Sequence, residues 1–185
     1  MAIKALITDL DGTLCDTRMA NTVSYEQAFK DAHLEFSRND YDEAFGLRFE
    51  EMFDILAPQA TDEQRRTVKS QKQIHYANNL DLVNINEGLV TILKDAKAEG
   101  KKLALATTAQ SANAIAVLKY FSLYDLFDEM IFGEEVAHGK PDPECYTTII
   151  KRLGISPSEC LIFEDSDAGI QAAEASGASV EKVVL

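Results

Sequence analysis

The sequence predicts an α/β fold: a doubly wound parallel sheet, interrupted after its first strand by a wholly helical segment. Three observations lead there. A near-continuous apolar run, Ala2 to Thr8, stands near the start of the chain; such runs suit parallel strands covered on both faces. From Asn84 onward, short apolar runs alternate with stretches of helical periodicity, the order that builds a parallel sheet through crossover helices. Between the two, from Cys15 to Leu82, apolar residues recur at helical spacing and no strand-like run occurs. The expected division is a core of residues 1–15 and 84–185 and a helical domain of residues 16–83.

The elements follow in order. The first strand runs into Asp9-Leu10-Asp11-Gly12-Thr13, where two carboxylates stand two residues apart and Gly12 permits a sharp turn. In the helical segment, Tyr25, Ala28, Phe29 and Ala32 repeat at i, i+3, i+4, i+7, as do Phe49, Met52, Phe53 and Leu56. A third helix starts at Thr61, with Gln64 placed to complete a capping box, and runs towards Ala77. Asp16-Thr17-Arg18 and Asn79-Leu80-Asp81 are the expected linkers. Leu89, Ile92, Leu93 and Ala96 then mark a helix closed by Gly100. The second strand is Lys102 to Ala106, followed by a helix with Ala114, Val117, Leu118 and Phe121 on one face. Glu129 to Phe132 is the third strand. Asp142-Pro143 reads as an N-cap and first-turn proline, before a helix carrying Tyr146, Ile149, Ile150 and Leu153 and ended by Gly154. Cys160 to Phe163 is the fourth strand, Ile170 and Ala173 mark the next helix, and Val180 to Leu185 is the fifth strand.

Composition narrows the functional classes. Of 185 residues 46% are hydrophobic, enough for a core, and no apolar run reaches the roughly 20 residues of a membrane span. Acidic residues (31) outnumber basic ones (18), for a formal charge of −13. Nucleic acid and anionic membranes need a basic face, so neither is an expected partner. The first strand begins almost at once, so no signal peptide is expected. Cys15, Cys145 and Cys160 show no metal-ligand spacing and read as free thiols. A cytoplasmic monomer is the expectation. His33, His75 and His138 show no paired spacing and are expected at the surface, and Cys15 is expected to pack rather than react.

Polar residues gather at the expected strand ends. Thr107-Thr108 precede a helix, where hydroxyls and N–H groups either bind an anion or cap the helix. Lys140, between Gly139 and Pro141, is either an exposed lysine or a cation on the same sheet edge. Glu164-Asp165 end the fourth strand beside the first strand's own acids. Carboxylates gathered there repel unless a cation compensates them, and Mg²⁺ with oxygen ligands suits such a set.

These stretches resemble the four short motifs of the haloacid dehalogenase superfamily, in its phosphatase and β-phosphoglucomutase-like branch with a helical cap: Asp9 to Thr13, Thr107, Lys140, and Glu164-Asp165 with Gly169. The resemblance implies a Rossmann-like core and an Mg²⁺-dependent phosphohydrolase for a small anionic phosphate ester. It implies Asp9 as nucleophile and Asp11 as acid and base. Mg²⁺ would bind the carboxylates of Asp9 and Asp165 and the carbonyl of Asp11, with Glu164 acting through water. Thr107 and the N–H groups of Gly12 and Thr108 would hold phosphoryl oxygens, and Lys140 would offset charge. Arg48 and Lys72, in the helical segment, resemble the cap arginine and lysine that reach substrate in mutase-like relatives; otherwise both sit on exposed helix faces. Two departures separate the chain from the mutases: Asn21 where they have a histidine, and Ala109 where they have a polar side chain. A sugar-phosphate mutase and a non-catalytic binding domain are the rival readings.

Overall fold

The computed structural model describes residues 2–185. The chain divides into two compact units, Met1–Thr17 with Asn84–Leu185, and Arg18–Val83.

The first unit is a five-stranded sheet: β1 (Ala5–Thr8), β4 (Lys102–Ala106), β5 (Glu129–Ile131), β6 (Cys160–Glu164) and β7 (Ser179–Lys182), in the order β5-β4-β1-β6-β7 and parallel throughout. The helices between these strands are α5 (Glu87–Ala98), α6 (Ser111–Tyr120), α7 (Glu144–Leu153) and α8 (Asp167–Ala175). Successive side chains of a strand face opposite ways. Ala5, Ile7, Ala104, Ala106 and Ile162 thus pack with Cys145, Tyr146 and Ile149 of α7 and Ala172 and Ala173 of α8. The alternate residues Leu6, Leu103 and Leu105 are buried as well, and α5 packs on β4. A sheet covered on both faces explains why its central strands read as unbroken apolar runs.

The second unit holds α1 (Arg18–Asp31), α2 (Arg38–Ala44), α3 (Phe49–Leu56) and α4 (Asp62–Asn78), with α1 packed along α4. The capping box forms: Gln64 N–H donates to Thr61 Oγ1 (3.2 Å) and Thr61 N–H to Gln64 Oε1 (3.0 Å). The core is aromatic, with Phe29 5.3 Å from Phe36 and 5.6 Å from Phe53 between ring centres.

Several boundaries depart from the sequence expectations. Helix α2 was not foreseen, since seven residues with only Tyr41 and Ala44 buried give too short a period to read. The chain between the units is not plain linker: β2 (Cys15–Asp16) pairs antiparallel with β3 (Asn84–Ile85), and Leu80–Leu82 form a 3₁₀ turn. The fifth strand is Ser179–Lys182, an exposed edge strand, and stops short of Leu185. Helix α7 begins one residue later than expected, with Pro143 at the cap position and Asp142 Oδ1 accepting from Glu144 N–H at 2.9 Å. No helix among the described residues is long and apolar enough to cross a membrane.

Candidate active site

Strand register places the acids. Thr8 lies opposite Leu105 on β4 and Phe163 on β6, so the strands' carboxyl ends deliver Asp9, Thr107 and Glu164-Asp165 to one edge. The chain order also reverses about β1, which makes this edge a topological switch point where open α/β sheets take their ligands.

Asp9 is 6% exposed, and its Oδ1 accepts from Lys140 Nζ at 2.6 Å. Burial above all pushes its carboxyl up to about 8; Lys140 pulls it down, and Glu164 and Asp11 push it up further. After Asp9 the chain wraps around the Leu10 carbonyl, which accepts from the N–H groups of Leu14 and Cys15, both at 3.0 Å. Asp11 is held by the buried Thr17, whose hydroxyl donates to its Oδ1.

The turn corrects the expectation for Gly12. Its N–H donates to the Cys15 carbonyl at 2.8 Å and so is taken up inside the turn, not offered to a phosphate. The sharp turn expected of this glycine is present, with φ at +89°, and a Cβ would also lie 2.3 Å from Asp165 Oδ2. Asp165 itself accepts the Thr13 hydroxyl at 2.8 Å, and burial pushes its carboxyl up.

Lys140 is brought into the cluster and not left at the surface: its side chain is 7% exposed and bridges Asp9 and Glu164. Glu164 Oε1 also accepts the Tyr146 hydroxyl (2.9 Å), and Oε2 accepts Ser166 N–H and Oγ–H, both at 3.1 Å. Burial would raise this carboxyl, but the Lys140 charge and these donors outweigh it and hold the group low. Thr107 is buried, and its Oγ1 accepts Ala109 N–H at 3.0 Å, so it braces the loop after β4. It does not cap α6, whose cap residue is Gln110. Thr108 is exposed in that loop.

Thr13, inside the first singled-out stretch, was given no role, and Thr17, Tyr146 and Ser166 were missed as site residues. Tyr146 was legible in part, since a tyrosine within a buried helix stripe needs a partner for its hydroxyl. Gly133 was missed too; a Cβ there would lie 2.1 Å from the Thr108 carbonyl, and its N–H donates to Ala109 O at 2.9 Å.

Arg48 lies in the other unit, at the cap position of α3, and is exposed. Lys72 is not on an exposed face: it is 7% exposed, with its ammonium 4.2 Å from the Tyr76 ring centre and 5.2 Å from that of Tyr25. His33 and His138 are exposed, whereas His75 is half-buried against Asp31 at 2.6 Å. Ligand-type atoms of His138, Asp142 and Glu144 lie within 4.8 Å of one another, but Glu144 there accepts the N–H groups of Ala137 and His138 and holds the loop. Cys15 is buried, with its thiol pushed well up by burial, as suits packing.

Residues 6–183 match the family of haloacid dehalogenase-like hydrolases. The chain belongs to that family. Among haloacid dehalogenase-like proteins it is 30% identical over 178 residues to the phosphorylated carbohydrates phosphatase of Thermotoga maritima, an alignment covering 95% of this chain and 82% of that protein. It is 27% identical over 184 residues to the β-phosphoglucomutase of Bacillus subtilis, covering 95% and 80%. The crystal structure of CbbY from Rhodobacter sphaeroides in complex with phosphate shares the fold at a TM-score of 0.88 and 23% identity, over 98% of this chain and 87% of that one.

Proposed function

We propose that this haloacid dehalogenase-like protein is an Mg²⁺-dependent phosphohydrolase that removes phosphate from a small phosphorylated carbohydrate through an aspartyl-phosphate on Asp9. The observation that carries the reading is the gathering of Asp9, Asp11, Glu164 and Asp165 at a parallel sheet's carboxyl edge, with Lys140 bridging Asp9 and Glu164. The phosphatase named among its relatives supports it.

The donor set fits a hard divalent cation. The Asp9 and Asp165 carboxylates and the Asp11 carbonyl are oxygen ligands, and Gly12 leaves open the space beside Asp165 that a Cβ would fill. When bound, Mg²⁺ would neutralise charge on the carboxylates and the phosphoryl group. Lys140, at 2.6 Å, favours the ionised form of Asp9 against the effect of burial. An Asp9 oxygen then attacks phosphorus in line as the ester oxygen departs. Asp11, oriented by Thr17, protonates that oxygen and afterwards takes a proton from the water that hydrolyses the acyl phosphate. Thr107 and the Thr108 N–H orient phosphoryl oxygens. The domain reading belongs here too, with Arg18–Val83 as a cap that carries Arg48 and Lys72 for the rest of the substrate. The net acidity accords with a small-molecule substrate in place of nucleic acid or membrane, and a cytoplasmic monomer completes the reading.

Release of phosphate from an aryl phosphate and from hexose phosphates, with Mg²⁺ or with EDTA, tests this. Turnover should require Mg²⁺; equal rates in both would refute the assignment. The mutase named among the relatives supports a second reading, and Asn21 and Ala109 weigh against it. Given β-glucose 1-phosphate and a bisphosphate primer, the protein should release inorganic phosphate, and accumulation of glucose 6-phosphate would reverse the ranking.

A further inference from the structure

The loop after β4 leads straight into α6, and the first turn of that helix already holds an anionic group. Ser111, its first residue, donates its N–H to both oxygens of Glu134, at 2.9 and 3.1 Å, and its hydroxyl to Oε1. Helix N-termini attract anions, because their first N–H groups have no partner within the helix. Gln110, at the cap position, supplies no side-chain acceptor; the carboxylate comes from 23 residues further along the chain. Burial would raise the Glu134 carboxyl, but the Ser111 hydroxyl and the N–H groups of Glu134 and Ser111 outweigh it. They hold the group low, so it is ionised at neutral pH.

Glu134 is exposed, yet its backbone is fixed. Gly133 N–H donates to the Ala109 carbonyl at 2.9 Å, and a Cβ on Gly133 would lie 2.1 Å from the Thr108 carbonyl. The turn after β5 is thus pressed onto the loop after β4. Glu135 anchors the same turn, accepting from Phe132 N–H and from Arg152 Nη2, both at 3.0 Å. Ala109 N–H in turn donates to Thr107 Oγ1 at 3.0 Å. A run of hydrogen bonds therefore joins the residue beside Glu134 to Thr107, to which the proposed function gives the transferring phosphoryl group. Ala109 adds only a methyl group to that stretch.

We propose that Glu134 is a specificity-determining residue: its carboxylate fills the anion position at the α6 N-terminus and turns the protein away from sugar bisphosphates, towards esters with a single phosphate. The inference rests on the proposed function for the place of the first phosphate. A second phosphate carries about −1.5 to −2 charges at neutral pH. It meets a like charge where the helix would otherwise offer donors.

Calorimetry with glucose 6-phosphate and glucose 1,6-bisphosphate tests it, on the full chain with Mg²⁺ and with Asp9→Asn to keep the esters intact. Adding Glu134→Gln should tighten the bisphosphate relative to the monophosphate by about tenfold, the scale of one unit charge a few ångströms away near a surface. Glu134→Asp keeps the charge and should hold the ratio within about threefold of its starting value. With Asp9 restored, Glu134→Gln should shift the kcat/KM ratio of the two esters the same way, through KM. A residue that only caps α6 would change both esters alike, so an unchanged ratio overturns the proposal. If Glu134→Gln fails to fold, Glu134→Ser also removes the charge and is read by the same ratio. Esters that bind with the expected ratios but are never hydrolysed by the wild type would sink the proposed function and leave the role of Glu134 standing. Esters that bind to none of these chains would sink both.

Discussion

Asp9 and Asp11 carry the same side chain two positions apart, but their surroundings differ in a way that suits the proposed division of work. Asp9 is buried against a lysine, while Asp11 is more open and held by the Thr17 hydroxyl. Asp9→Asn should abolish turnover, because an amide cannot attack phosphorus. Asp11→Asn should reduce it by about 10²–10⁴-fold, the usual worth of acid–base catalysis. Phosphate trapped on the enzyme should map to Asp9, and a label elsewhere would overturn the mechanism. Lys140 gives a stability test. Removing one partner of a buried ion pair leaves its charge uncompensated, commonly at about 3–5 kcal/mol. Lys140→Ala should therefore lower the Tm markedly in metal-free protein, and Mg²⁺ should recover part of the loss. A melting curve unchanged from wild type would show that the buried cluster tolerates its own charge.

At the scale of elements, the site depends on where side chains are missing. Gly12 and Gly169 each stand where a Cβ would strike a carboxylate, Asp165 in one case and Glu164 in the other. The two substitutions should therefore separate. Gly12→Ala adds a strained left-handed backbone and displaces Asp165, so Mg²⁺ affinity should fall with kcat. Gly169→Ala overpacks the start of α8, typically at about 1–3 kcal/mol, and should lower kcat through Lys140 while Mg²⁺ binding largely persists. Equal metal-binding losses from both would argue that Glu164 and Asp165 act as one unit. The sequence marked both glycines, and the turn at Gly12, but not the carboxylates beside them, because those neighbours are met only after the strands have paired.

For the whole molecule, the proposed substrate selection by Arg18–Val83 can be tested beside that unit's stability. Arg48 is exposed, and exposed charges contribute little stability, so Arg48→Ala should leave the Tm unchanged. Lys72 is buried over two tyrosine rings, contacts worth about 0.5–2 kcal/mol apiece, so Lys72→Ala should lower it. If these residues read the substrate, both variants should lose kcat/KM for a hexose phosphate far more than for a small aryl phosphate. Uniform loss, or none, would assign the selection to other residues. Mg²⁺ should also raise the Tm of the wild-type protein: at a concentration 100 times its Kd, linkage gives about 2.7 kcal/mol. No shift at millimolar Mg²⁺ would contradict a resident cation.

The sequence by itself determined the α/β class, the helical segment after the first strand, and the stretches on which the family resemblance rests. The reason is that a parallel sheet covered on both faces writes unbroken apolar runs, and packed helices write a 3.6-residue period. Elements too short to carry a period, such as α2, β2 and β3, left no such trace. What only the tertiary structure decided is which groups surround each acid. The family resemblance set Glu164 apart from Asp165, but the residues themselves did not say that one points into a nest of donors under Gly169 and the other towards the glycine turn at Gly12. Neighbours along a strand face opposite ways, and which partners wait on each side depends on Lys140, Tyr146 and Thr13, which folding alone brings there.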